Sequence, residues 1–278
     1  MPTRPAPTPS APIHLARTLR TRGALAVALL TLAGCGSPAV GGGFDVEAFN
    51  LGLRRAKAVT AVHAVLTTQL ALRHLLGALA QAAPGGAPNL AALGAPEPAA
   101  RATYAIDAAA GTGRIDVVTD GRPVVALDLA FAQTATADGL RFDLTRVAGT
   151  VEGFALASRA TQVTFHKFTG EAGWGTDVDL DLVLTAGADD MRRAVGRLTL
   201  PAVPAAAGVV LGSLAIEVPA HQARFDGTIA AASGGTTTSG GLSLDGRREF
   251  EVLLDAAGGV ALTPVSADSP PELPAGTH

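Results

Sequence analysis

The chain contains one cysteine, Cys35, in 278 residues. A single thiol excludes a disulfide framework within the chain and any zinc site built from several cysteines. Aromatic residues are scarce at 4%, with one Trp and one Tyr, too few for the aromatic girdles of a membrane-spanning β-barrel. Lysine occurs only at Lys57 and Lys167, and asparagine only at Asn50 and Asn89. A formal charge of −3 offers no electrostatic ground for a nucleic-acid partner. The patterns G-x-S-x-G, H-E-x-x-H and G-x-x-x-x-G-K are missing, and Gly111-Thr112-Gly113 runs into Arg114-Ile115-Asp116 instead of completing a dinucleotide fingerprint. No motif therefore calls for a cofactor or a metal. Apolar residues are plentiful, at 48% against 16% charged, which is enough for a sizeable core and excludes wholesale disorder.

The first 23 residues hold Arg4, Arg17, Arg20 and Arg22 and no acid. An apolar run from Ala24 to Gly34 follows and ends at Cys35. A basic region, a short apolar stretch and small residues describe a secretory signal peptide. The run falls short of the roughly 20 apolar residues that span a bilayer. Leu32-Ala33-Gly34-Cys35 resembles the lipobox of bacterial lipoproteins. That resemblance covers the leader and these four residues, and implies diacylglyceryl transfer to the Cys35 thiol, cleavage before Cys35 and acylation of the new amino terminus. Several acyl chains make anchoring stable where a single chain holds only marginally. Gly36 stands where, by the enteric sorting rule, an aspartate would retain the protein in the inner membrane, so the outer membrane is the expected address. Removing residues 1–34 removes four arginines and no acid, taking the formal charge from −3 to −7.

Residues 35–44 read as the lipidated cysteine and a flexible tether, residues 45–263 as one domain, and 264–278 as a Pro-rich disordered tail. From Asp45 to about Ala82, apolar residues including Phe49, Leu53, Val59, Val62, Leu66 and Leu70 recur at threes and fours, predicting a long helix that Gly52 or Gly77 could bend or divide. Residues 84–101 are a Pro/Gly-rich connection. From Thr103 the period changes to two, as in Val125, Leu127, Leu129 and Phe131, or Val178, Leu180, Leu182 and Leu184. About ten to twelve strands are expected, with turns at Asp120-Gly121, Asp138-Gly139, Asp226-Gly227 and Asp245-Gly246. A short helix is expected near Ala188–Val195, and loops at 201–210 and Ser233–Gly241. Short connections argue for an antiparallel meander. The fold class is α+β and β-dominated, an N-terminal helix on a large curved sheet forming a half-barrel or incomplete barrel, with a β-sandwich as the alternative.

Four constellations could carry chemistry. Asp177, Asp179 and Asp181 alternate along one strand, but same-face neighbours lie about 6.6 Å apart, too far to share a calcium ion. His63 and His74 lie three helical turns apart, about 16 Å, too far to share a metal. His166 could work with an acid from a neighbouring strand as an acid–base pair, though no residue identifies that acid. Arg192-Arg193 and Arg247-Arg248 read as solvated loop or helix positions. The expected function is a non-enzymatic, membrane-anchored envelope lipoprotein that binds or carries an apolar ligand or lipid. The order of elements is broadly similar to lipoprotein carriers that combine helices with a half-barrel, an analogy of architecture only. The alternative is a structural or protein-interaction module of the envelope, and the outsider a hydrolase using His166. Expected partners are the bilayer, through the acyl anchor, and an apolar ligand or an envelope protein.

Overall fold

The computed structural model describes residues 46–82, 100–119, 121–167, 174–186, 191–201, 209–232, 235–254 and 260–265. One helix, α1 (Val46–Gln81), precedes twelve strands: β1 (Ala100–Asp107), β2 (Thr112–Thr119), β3 (Arg122–Ala135), β4 (Gly139–Val151), β5 (Phe154–Lys167), β6 (Trp174–Thr185), β7 (Met191–Leu200), β8 (Val209–Val218), β9 (Ala223–Ala232), β10 (Gly235–Leu244), β11 (Arg247–Leu254) and β12 (Val260–Pro264). The helix runs unbroken through Gly52 and Gly77 for 36 residues, about 54 Å at 1.5 Å per residue. A glycine costs a helix about 1 kcal/mol, and burial along the rest of the element outweighs it. At its end the Ala82 N–H reaches back to the Leu79 carbonyl at 3.3 Å, and Pro84 lies just beyond.

The strands form one sheet in chain order, every neighbouring pair antiparallel. Among the described residues β1 pairs only with β2 and β12 only with β11, so the sheet stays open. It is the expected half-barrel and not a two-sheet sandwich. Alternation sets which face is which. Val125, Leu127, Leu129 and Phe131 of β3 are buried, as are Val178, Leu180, Leu182 and Leu184 of β6.

From Lys57 onward the helix is buried over most of its circumference. Ala58, Ala61, Ala64, Val65, Leu72, Leu75 and Leu76 are fully buried. They form a single cluster with Ile115, Leu127, Phe142, Val163, Leu180, Leu198, Ile216, Phe225 and Leu242, so strands from β2 to β10 contribute to one core. A helix that meets so many consecutive strands of one sheet lies along its concave side. Phe131, Phe142 and Phe165 pack edge to face, with centroids 5.6 and 5.9 Å apart, an arrangement the aromatic quadrupole favours. One helix stripe, through Thr60, His63, Thr67, Leu70, His74 and Ala78, keeps partial exposure.

The helix packs tightly on β7. A Cβ on Gly196 would lie 2.6 Å from Val65 Cγ1 and 3.0 Å from Gln69 Nε2, so only glycine fits there without displacement. The buried Gln69 amide is satisfied by the sheet. In one orientation its Nε2 donates to the Val178 carbonyl at 3.4 Å; turned over, its oxygen instead accepts from the Leu198 and Arg197 N–H groups at 3.3 Å.

Several sequence expectations are corrected. The helix expected near Ala188–Val195 is replaced, over its described part, by β7, because Arg192, Ala194, Gly196, Leu198 and Leu200 alternate into the core. Arg192 is therefore buried, 5.6 Å from the Phe154 ring centroid, and is not a solvated position. The loop expected at Ser233–Gly241 overlaps β10, whose Gly/Thr-rich run is flanked by ladders to β9 and β11. Asp226-Gly227 lies inside β9, and the chain turns earlier, over Pro219–His221. Leu53, placed on the apolar stripe, is 45% exposed. Residues 1–34, the tether at 35–44, residues 84–99 of the expected connection and the tail beyond Val265 lie outside the described residues, while Ala100 and Arg101 open β1 and Pro264 closes β12 instead of belonging to the connection and the tail.

Candidate functional site

The outward face of the half-barrel is a lattice of ion pairs built by the antiparallel register. Arg114 of β2 stands opposite Asp128 of β3 and bonds it at 2.8 Å, with Asp116 at 2.6 Å. Arg224 of β9 stands opposite Glu217 of β8 and bridges Glu217 and Asp226. The three aspartates of β6 are each engaged separately: Asp179 with Arg197 at 2.7 Å, Asp181 with Arg193 at 2.9 Å and Asp177 with His166 at 2.7 Å. They do not converge on one point, and among the described residues no group of His, Cys, Asp and Glu could hold a metal. This charged outward face is the reverse of the apolar band that a membrane-spanning barrel presents to lipid.

The most organised group on this face centres on His166, at the end of β5. Its Nε2 lies 2.7 Å from Asp177 Oδ2 on β6, and its Nδ1 lies 3.0 Å from Asp138 Oδ2 in the turn after β3. Asp177 is the diagonal neighbour of His166, since Gly175 is its direct partner. Asp138 arrives because Gly139 pairs with His166, and a Cβ on Gly139 would overlap the Phe165 carbonyl. Burial alone would lower the His166 pKa, but the hydrogen bonds and charges of Asp138 and Asp177 outweigh it and raise the pKa above its ordinary value. The same bond, with help from the Thr136 hydroxyl at 3.1 Å, holds the Asp138 carboxyl below its usual range. The sequence singled out His166, and Asp177 only as one of three alternating aspartates, but joined neither acid to the histidine, because register and turn geometry bring them together.

His63 and His74 stay apart, as their spacing requires. His63 Nδ1 is 3.8 Å from Glu152, and the His74 ring lies 5.4 Å from Tyr104. Burial pushes the Tyr104 hydroxyl up to about 12. A shallow depression of 490 Å³ is lined by Ile106 and Leu129 together with Asp107, Arg114, Asp128 and Arg146. Its Arg114 is already paired with Asp116 and Asp128. The predicted lipidation site Cys35 and the lipobox residues Leu32, Ala33 and Gly34 lie outside the described residues. No described helix is long and apolar enough to cross a membrane.

No protein-family model, curated protein or solved structure matches the chain. Over the described residues its class is therefore given by architecture, an open twelve-strand meander with one α-helix.

Proposed function

We propose that the chain is an exported envelope lipoprotein, anchored through acyl chains on Cys35, whose domain works by contact with other envelope components. The Leu32-Ala33-Gly34-Cys35 motif at the end of a basic, apolar leader supports the anchor. The observation that carries the rest is the filling of the concave apolar face. Leu72, Leu75, Leu76 and Val65 of α1 are fully buried in the same cluster as the inward residues of the sheet, so the apolar surface a lipid carrier would offer is used in self-packing. Between the two expected readings, this favours the interaction module over the carrier. What the domain presents outward is a charge-paired surface.

Two measurements test the proposal on the full-length chain expressed in a bacterial host. Cys35→Ala should abolish labelling by radioactive palmitate and move the protein out of the membrane fraction. Persistent acylation or membrane retention after leader removal would refute the anchor. Native mass spectrometry of the detergent-released lipoprotein should show the covalent acyl groups and no stoichiometric further lipid. A reproducible noncovalent lipid adduct would restore the carrier reading.

A further inference from the structure

We infer that His166, Asp138 and Asp177 form a proton-operated clasp that fastens the exposed β3 end and turn of the β3–β4 hairpin to β5 and β6. The inference is independent of the anchor and of the interaction reading. Beyond Phe131, the last buried residue of β3, Ala132, Gln133, Thr134 and Ala135 are all exposed, so neither face of this strand end enters the core. The tip is held by its own ladder, from Ala132↔Asp143 to Ala135↔Leu140, and by the Thr136 N–H donating to the Gly139 carbonyl at 3.0 Å; its β4 side is also laddered to β5 from Gly139↔His166 onward, which leaves the β3 end and the turn as the part the clasp can hold. The Asp138 bond to His166 is a side-chain tie from this tip to another strand.

The tie depends on protonation for a geometric reason. Both ring nitrogens of His166 face a carboxylate oxygen, at 3.0 and 2.7 Å, and an ionised carboxylate only accepts hydrogen bonds. The imidazolium has two N–H donors and satisfies both acids. Neutral imidazole has one donor, and it turns a lone pair toward the other carboxylate. Loss of the proton therefore breaks one arm of the clasp and replaces attraction with repulsion.

Among the described residues, two nearby cations have carboxylate partners of their own. Arg141, on β4, bonds Asp143 at 3.1 Å. Arg197, on β7, bonds Asp179, and its charge is also felt by Asp177. Because the His166 pKa is raised by folding, the clasp contributes fully below the unfolded value of about 6.5. Its contribution is lost as pH rises through the higher folded value.

The test is hydrogen exchange of peptides covering residues 132–139 in the full chain across a pH series, corrected for intrinsic rates. It is paired with an NMR titration of the His166 imidazole, assigned by its disappearance in His166→Gln. Wild type should lose several-fold protection at the tip as pH rises through the His166 pKa, which should lie above the ordinary value. His166→Gln should exchange at the high-pH rate throughout, with unchanged circular dichroism. Asp177→Asn should lower the His166 pKa and move the exchange midpoint down with it. Tip protection independent of pH in wild type would overturn the clasp. So would the same pH dependence in His166→Gln, or a His166 pKa at or below the ordinary value.

Discussion

Adding one methyl group to Gly196 tests whether the helix lies against β7. The Cβ of Gly196→Ala would fall 2.6 Å from Val65 Cγ1, about 1 Å inside the ordinary carbon–carbon contact of roughly 3.5–4 Å. Val65 is fully buried and, as a β-branched helix residue, has little χ1 freedom with which to yield. Overpacking of this kind costs about 1–3 kcal/mol. Replacing glycine also narrows the unfolded ensemble, which returns about 0.5–1 kcal/mol. The expected net loss is about 1–2 kcal/mol, or about 2–8 °C in Tm for a domain of this size. Urea unfolding followed by the fluorescence of the single tryptophan, Trp174, measures it, with an unchanged m-value. The partner variant Val65→Ala should cost about 1.5–3 kcal/mol alone through lost burial and the cavity it leaves. Combined with Gly196→Ala it should cost less than the sum by about 1 kcal/mol, because the clashing methyl is gone. A neutral or stabilising Gly196→Ala, or strict additivity in the double variant, would refute the packing argument.

Other predictions concern titrating groups. The chain has one tyrosine, so its phenolate absorbance reports Tyr104 alone and should rise near pH 12 in the folded protein. Because folding raises this pKa, the associated stability is present below the unfolded value of about 10 and is lost as pH rises through the folded one. A midpoint near 10 in the folded state would contradict its burial against the helix. Asp181 is held below the usual carboxylate range by its hydrogen bond to Arg193, so Arg193→Ala should raise its pKa in a carboxyl NMR titration. The stability tied to Asp181 is present above its unfolded pKa and fades as pH falls through the lower folded value. The urea midpoint at neutral pH should barely move, since exposed pairs contribute little.

The parts of this fold legible in the sequence were those where one local rule decided the outcome. β3 and β6 announce themselves because apolar residues alternate without interruption, and α1 because threes and fours persist along the chain. The meander follows from connections too short for parallel crossovers. β7 was hidden because a charged residue, Arg192, occupies an inward position, and its guanidinium is accommodated over Phe154, a contact no local pattern announces. β10 was hidden because Gly235–Leu244 is rich in glycine and threonine. Its strand character comes from pairing on both sides and not from its own propensity. Asp226-Gly227 has the composition of a hairpin turn, yet β8 and β10 both pair with it as strand. The His166 group was half legible. The histidine stood out, but Asp177 reaches it through a diagonal cross-strand relation and Asp138 through a turn 28 residues away, neither of which is readable before register is known.

A helix seated in the concave side of the sheet can be cross-linked to it. In a disulfide, the sulfur of one cysteine lies roughly 3 Å from the Cβ of the other, close to the 2.6 Å between Val65 Cγ1 and a Cβ at Gly196. Val65→Cys with Gly196→Cys, in a Cys35→Ala background free of other thiols, should oxidise nearly completely in the folded protein and raise its urea midpoint. Thiols that stay free and react rapidly with an alkylating agent under native conditions, while each single-cysteine variant is folded, would show that the helix does not lie against β7.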